Sequence, residues 1–143
     1  MRAALDSVAR RYRVSNQALL PIFEAAQVAG RERNIDPMLL IAVISIESGF
    51  NPYSQSVFGA QGLMQVIPRF HQDKIPEWAG AQPFLDPVTN VHIGSHVLQE
   101  AIRRHGSLMM GLQQYAGALD DEDMGYANKV LAEKNRLMQL TRR

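Results

Sequence analysis

The sequence contains no cysteine, so its stability owes nothing to disulfides and its folding requires no oxidising compartment. It also lacks any apolar run approaching the roughly 18 residues that would read as a membrane span. The opening Met1-Arg2-Ala3-Ala4-Leu5-Asp6 has no apolar core of the kind a secretory signal carries, so the chain as it stands reads as soluble. Large net charge is missing as well: 15 Lys/Arg stand against 14 Asp/Glu. The distribution is uneven, because residues 1–13 and 129–143 hold nine of the basic residues against only Asp6 and Glu133, leaving six basic and twelve acidic residues between them, a net −6. A nucleic-acid partner calls for positive charge on the working surface, and an acidic middle between basic ends argues against one.

What the sequence does contain is enough for one core. At 143 residues and 46% hydrophobic content, the expectation is a single domain with one apolar interior. Its periodicity is helical, with no convincing strand. A first helix is expected over residues 20–33, with Pro21 at its start and Ile22, Ala25, Ala26 and Ala29 along one face. Asp36-Pro37 supplies an N-cap followed by a first-turn proline, and Leu40, Val43, Ile44 and Glu47 then recur at helical spacing until Asn51-Pro52 ends the run. Residues 59–68 read as a tight turn opening a short helix that Pro68 stops.

Asp86-Pro87 repeats the cap-and-proline signal and opens a helix to Gly106 whose stripe is Val91, Gly94, Leu98, Ala101 and Ile102. Ser107 caps a further helix from Leu108 to about Ala116. The acidic loop Asp120–Asp123 then leads to a last amphipathic helix from about Tyr126 to Leu140. The fold class is all-α. Residues 1–16 are assigned to an N-terminal flank, either part of a first helix or a linker, and 17–143 to the domain proper.

Glu47 is the chemically odd residue. It shares a stripe with Leu40, Val43 and Ile44, so packing that stripe inward draws a carboxyl toward an apolar wall, where desolvation raises its pKa and favours the neutral acid. Two readings stand at this point: a proton donor in a cleft, or a helix-end carboxylate facing solvent or an arginine. His92, His96 and Glu100 follow one another at helical spacing without the glutamate of a zincin motif, and read as a solvated polar face. The run from Asp120 offers Met124 and Leu131 where an EF-hand needs oxygen ligands, so no metal is assigned there. Phe70, Trp78 and Phe84 lie in a loop that either offers a sugar-stacking face or folds back on the core.

Four blocks settle which reading of Glu47 to pursue. Glu47-Ser48-Gly49-Phe50-Asn51-Pro52, then Gly59-Ala60-Gln61-Gly62-Leu63-Met64-Gln65-Val66-Ile67-Pro68, then Asp86-Pro87 with Asn90 and Gly94, then Tyr115 with the later Tyr126-Ala127-Asn128-Lys129-Val130 resemble, in order and spacing, the soluble lytic transglycosylase (SLT) domain family, which is related in fold to goose-type lysozyme. The resemblance implies a lysozyme-like domain of about five to seven helices around a glycan-binding cleft. It implies cleavage of the β-1,4 bond between N-acetylmuramic acid and N-acetylglucosamine in peptidoglycan, with Glu47 as the single acid/base. The muramic C6 hydroxyl takes the place of water, leaving a 1,6-anhydro end, and the sugar's own N-acetyl group replaces a second enzyme carboxyl.

On the same basis Ser48, Met64, Gln65 and Tyr115 are expected to bind substrate or support the acid, with the Tyr115 hydroxyl reaching Glu47. Asn51, Pro52, Gly59, Gly62, Asn90 and Gly94 are expected to hold the motifs in shape. No cofactor and no metal is implied, and the partners are peptidoglycan strands and possible cell-envelope machinery acting on a monomer. The location implied is the periplasm or cell envelope, with any export signal or anchor outside this chain. One departure stands out: the family's tyrosine is followed by asparagine, and here Ala116 follows Tyr115. Two alternatives therefore stay open, a hydrolytic muramidase and a catalytically impaired glycan-binding module.

Overall fold

Both Asp-Pro signals do what capping chemistry demands. Asp36 accepts from the Met38 amide at 2.9 Å and Asp86 from the Thr89 amide at 2.9 Å, each with proline at the first helical position, where a missing N–H costs nothing. The computed structural model describes residues 1–141 as six helices: α1 (Arg2–Tyr12), α2 (Asn16–Arg33), α3 (Pro37–Ser48), α4 (Pro87–His105), α5 (Leu108–Tyr115) and α6 (Gly125–Thr141). Two 3₁₀ turns, Pro68–Phe70 and Gln72–Lys74, lie in the long segment between α3 and α4. There is no strand among the described residues, only isolated bridges pairing Gln61 with Gln55 and with Val66.

α3 is the centre. Every residue from Met38 to Ser45 is buried, because α2 packs on one side and α6 on the other, and a helix apolar all round is stable only when enclosed. Leu40, Ile41 and Ile44 have no exposed surface, each contributing about 1.5–3 kcal/mol of apolar burial. α1 belongs to the same core: Ala4, Leu5 and Val8 form its buried stripe against α2 and α6.

Two local expectations are corrected. Pro21 does not begin a helix; α2 starts at Asn16, where the Ser15 hydroxyl accepts from the Ala18 amide at 3.1 Å. Pro21 sits in the second turn on the exposed side, where water can serve the Gln17 carbonyl that its missing N–H leaves free. Nor do residues 59–67 form a short helix. Gly62 (φ +79°) and Gln65 (φ +51°) are left-handed, and Gln61 and Val66 exchange backbone hydrogen bonds at 2.8 and 3.1 Å, so the segment closes on itself as an irregular loop.

α4 runs behind that loop. At Gly94 an added Cβ would fall 2.5 Å from the Met64 sulfur, so the glycine is the slot into which Met64 packs.

Candidate active site

The end of α3 is turned by two successive left-handed residues, Gly49 (φ +57°) and Phe50 (φ +66°). The turn drives Phe50 into the core, 1% exposed, with its ring centroid 5.3 Å from Tyr12 and 6.4 Å from Phe23. This wedge fixes the last turn of α3 and with it Glu47. Asn51 then closes the turn, its side-chain oxygen accepting from the Tyr53 amide at 3.0 Å.

Glu47 is half-buried, and the Tyr126 hydroxyl donates to its Oε2 at 2.7 Å. Burial raises the Glu47 pKa above the usual carboxylate range, while the Tyr126 hydrogen bond and the Lys129 ammonium pull the other way. Tyr126 itself is pushed up, first by burial and then by the Glu47 charge, so it stays a donor. A phenol and an ammonium thus favour the ionised form of Glu47 against the effect of its burial.

Below the acid lies the 61–64 loop, held in an unusual way. Four consecutive carbonyls are each taken by a side chain: Gln61 by Asn90 at 2.9 Å, Gly62 by Gln65 at 3.0 Å, Leu63 by Ser48 at 2.8 Å, and Met64 by Tyr115 at 2.5 Å. Asn90 is fully buried; it also donates to the Phe84 carbonyl at 2.8 Å and accepts from the Met64 amide at 2.8 Å. The Gln61 and Gly62 carbonyls also accept the Val66 and Gln65 amides at 3.1 Å, whereas the Leu63 and Met64 carbonyls depend on the side chains. Gly62 is required by the same crowding, since a Cβ there would meet the Phe84 oxygen at 2.3 Å and Asn90 at 2.4 Å. Gly59 (φ +91°) opens the loop.

The structure redistributes the expected roles. Tyr115 does not reach Glu47: its hydroxyl goes to the Met64 carbonyl, and the phenol at the acid is Tyr126, contributed by α6. Met64 lines no cleft, because its side chain is 0% exposed and fills the Gly94 slot. Ser48 serves the backbone, tying the helix end to Leu63. Gln65 uses its amide nitrogen on Ser54 (2.9 Å) and Gly62, and its amide oxygen accepts from no described residue. Ala116 ends α5 with its side chain exposed.

Gln113 was not anticipated. Fully buried, it donates to the Ala118 carbonyl at 2.8 Å and accepts from the Ala127 amide at 2.8 Å, which fixes the start of α6 and hence Tyr126. The signal available was a glutamine beside Leu112 on a short apolar helix. Asp121 adds a second tie, accepting from the Gly125 amide at 3.0 Å.

The His92–Glu100 ladder does not converge. His92 meets Trp78 edge-on at 5.3 Å, while Glu100 pairs with the buried Lys74 at 3.0 Å and lies 3.9 Å from His96. Among the described residues no group of three or more His, Cys, Asp or Glu is placed to hold a metal ion. The loop aromatics divide: Phe84 is buried, Phe70 and Trp78 remain exposed.

A six-helix domain with one raised-pKa carboxyl at the end of its central helix is of the lysozyme-like class. Residues 24–134 match the model of the "Transglycosylase SLT domain", and the chain belongs to that family. It is 31% identical over 120 residues to the transglycosylase of Enterobacteria phage PRD1, covering 80% of this chain and 43% of that protein. It is 35% identical over 82 residues to the soluble lytic murein transglycosylase of Salmonella typhimurium, covering 54% of this chain and 13% of the relative. To the membrane-bound lytic murein transglycosylase C of Actinobacillus succinogenes it is 32% identical over 101 residues, covering 66% and 27%. The chain thus spans less than half the length of each of these relatives. The fold matches the 70-kDa soluble lytic transglycosylase, solved as a complex with bulgecin A, at a TM-score of 0.66 and 22% identity over 89% of this chain and 24% of that one.

Proposed function

We propose that this domain is a peptidoglycan lytic transglycosylase, acting at the cell envelope, with Glu47 as its single acid/base. The observation carrying the proposal is the Glu47 carboxyl itself: half-buried, raised in pKa and oriented by one phenol. Family membership and the naming of the relatives support the substrate.

The neutral acid donates its proton to the glycosidic oxygen that joins muramic C1 to glucosamine C4, and the C1–O bond breaks as the substrate's N-acetyl oxygen supports C1. The carboxylate left behind takes the proton of the muramic C6 hydroxyl while that oxygen bonds to C1. Water is not consumed, and Glu47 ends protonated, as it began. A retaining glycosidase would use a second carboxyl roughly 5 Å away as nucleophile; in the proposed route the substrate's own N-acetyl group takes that part. Tyr126 holds the acid, and Gln65 offers its amide oxygen toward an acetamido N–H. Mass analysis of muropeptides released from purified sacculi tests the reading: anhydromuramic ends are expected, whereas reducing ends would make the enzyme a muramidase. Binding without release would leave a glycan-binding module.

Tyr126→Phe separates positioning from proton chemistry. The Tyr126 bond favours the carboxylate, so its loss raises the Glu47 pKa further, and activity that needs the neutral acid persists to higher pH. The expected result is a roughly tenfold lower rate at the optimum with the alkaline limb moved upward. An alkaline limb that stays put or moves down would mean that Tyr126 does not tune the acid.

A further inference from the structure

Tyr53 and Trp78 are the two large aromatics lining an open groove of about 500 Å³, 75% and 59% exposed respectively. Leu85 and Pro87 add apolar lining, and Gln82 and Asp86 polar lining. Asp86 spends one oxygen on its helix, accepting from the Thr89 amide and hydroxyl. Its Oδ1 and the Gln82 side-chain amide bond to no described residue. Trp78 makes a T-shaped contact with His92 at 5.3 Å and still leaves more than half of its surface exposed.

We propose that this groove is a second carbohydrate site, taking a neutral or N-acetylated pyranose of a glycan strand beyond the Glu47 cleft. A pyranose has apolar C–H faces and a rim of hydroxyls. Exposed aromatic faces suit the former, while a carboxylate oxygen and a carboxamide suit the latter. The single charge in the lining, Asp86, disfavours an anionic ligand. One loop ties the groove wall to the segment beside the acid: the Ser54 carbonyl next to Tyr53 accepts from the Gly62 amide at 2.9 Å and from Gln65 at 2.9 Å. A strand engaged at both places is bound more tightly by avidity without any change at the reacting bond. The inference rests on the proposed reading of the Glu47 cleft as a glycan site.

Trp78 is the only tryptophan in the chain; its indole borders this groove and also a second cavity beside Val88 and His92, so dependence on Tyr53, which lines this groove, ties a fluorescence response to it. Titrating the Glu47→Gln protein with N-acetylglucosamine tetramer is expected to shift the emission to the blue and protect it from iodide quenching, saturably. Tyr53→Ala, a change at an exposed side chain, is expected to weaken that titration about five- to tenfold. In the otherwise wild-type enzyme, Tyr53→Ala raises KM on sacculi by a similar factor and leaves kcat unchanged. An indole indifferent to a tetramer that nevertheless perturbs the Tyr126 resonances, or a tetramer that binds nowhere, overturns the groove. So does an indole response that Tyr53→Ala leaves intact. Release of anhydro ends by the wild type with a silent indole discards the groove alone; a Tyr53-dependent indole response without release discards the catalytic reading alone.

Discussion

Glu47→Gln is expected to abolish release of anhydromuropeptides from sacculi, lowering the rate by about a thousandfold or more, the upper part of the range for a single acid/base. The substitution keeps shape and leaves an oxygen to accept from Tyr126, so the loss falls on proton transfer and not on architecture. Stability supplies an independent reading. A carboxyl whose pKa is raised by folding contributes stability that is fully present below its unfolded pKa and lost as the pH rises through the folded value. Glu47→Gln removes that liability: the variant should melt with the wild type in acid and above it at neutral and alkaline pH. A variant that melts lower across the whole range while retaining activity would place the acid elsewhere.

Asn90→Ala is the second large effect. The side chain makes three hydrogen bonds, to the Gln61 and Phe84 carbonyls and from the Met64 amide; alanine orphans the buried Phe84 carbonyl and Met64 amide, while the Gln61 carbonyl keeps its bond from the Val66 amide, and a cavity is left where the carboxamide was. Each orphan costs about 1–3 kcal/mol before relaxation, so a destabilisation of roughly 3–4 kcal/mol is expected, about 10 °C in melting temperature for a domain of this size. Well below the melting point the Met64 amide should exchange with solvent far faster, and activity should fall with it. A melting temperature within a degree or two of wild type would show that the loop holds itself without Asn90.

The helices were legible because their boundary chemistry is local. Asp36-Pro37, Asp86-Pro87 and Ser107 each act within one turn, and the apolar stripes of α3 and α4 need only the helical period. Glu47 was legible for the same reason, as the one charge on an apolar stripe. The loop at residues 59–67 was legible only as a tight turn at its glycines, because what shapes the rest lies on α3, α4 and α5, and nothing within the segment announces a left-handed Gln65. The choice of tyrosine was hidden in the same way. Tyr115 and Tyr126 both lie in the last matched block, and which of them meets the acid depends on how Gln113 and Asp121 set the start of α6. Met64 was expected at the cleft because a methionine suits either place; the Gly94 slot decides for the interior.

The four loop carbonyls claimed by Asn90, Gln65, Ser48 and Tyr115 bear on how such a domain can diversify. Three of the four donors lie outside the loop, so its outline is stored at a distance, in residues that a change in its own side chains leaves untouched. Surface positions along it are then free to drift with the chemistry of a new glycan while the curve of the main chain persists. In a lineage descended from this chain, change should be concentrated at the exposed residues that lead into the loop, Val57 and Phe58, before it reaches any of the four donors.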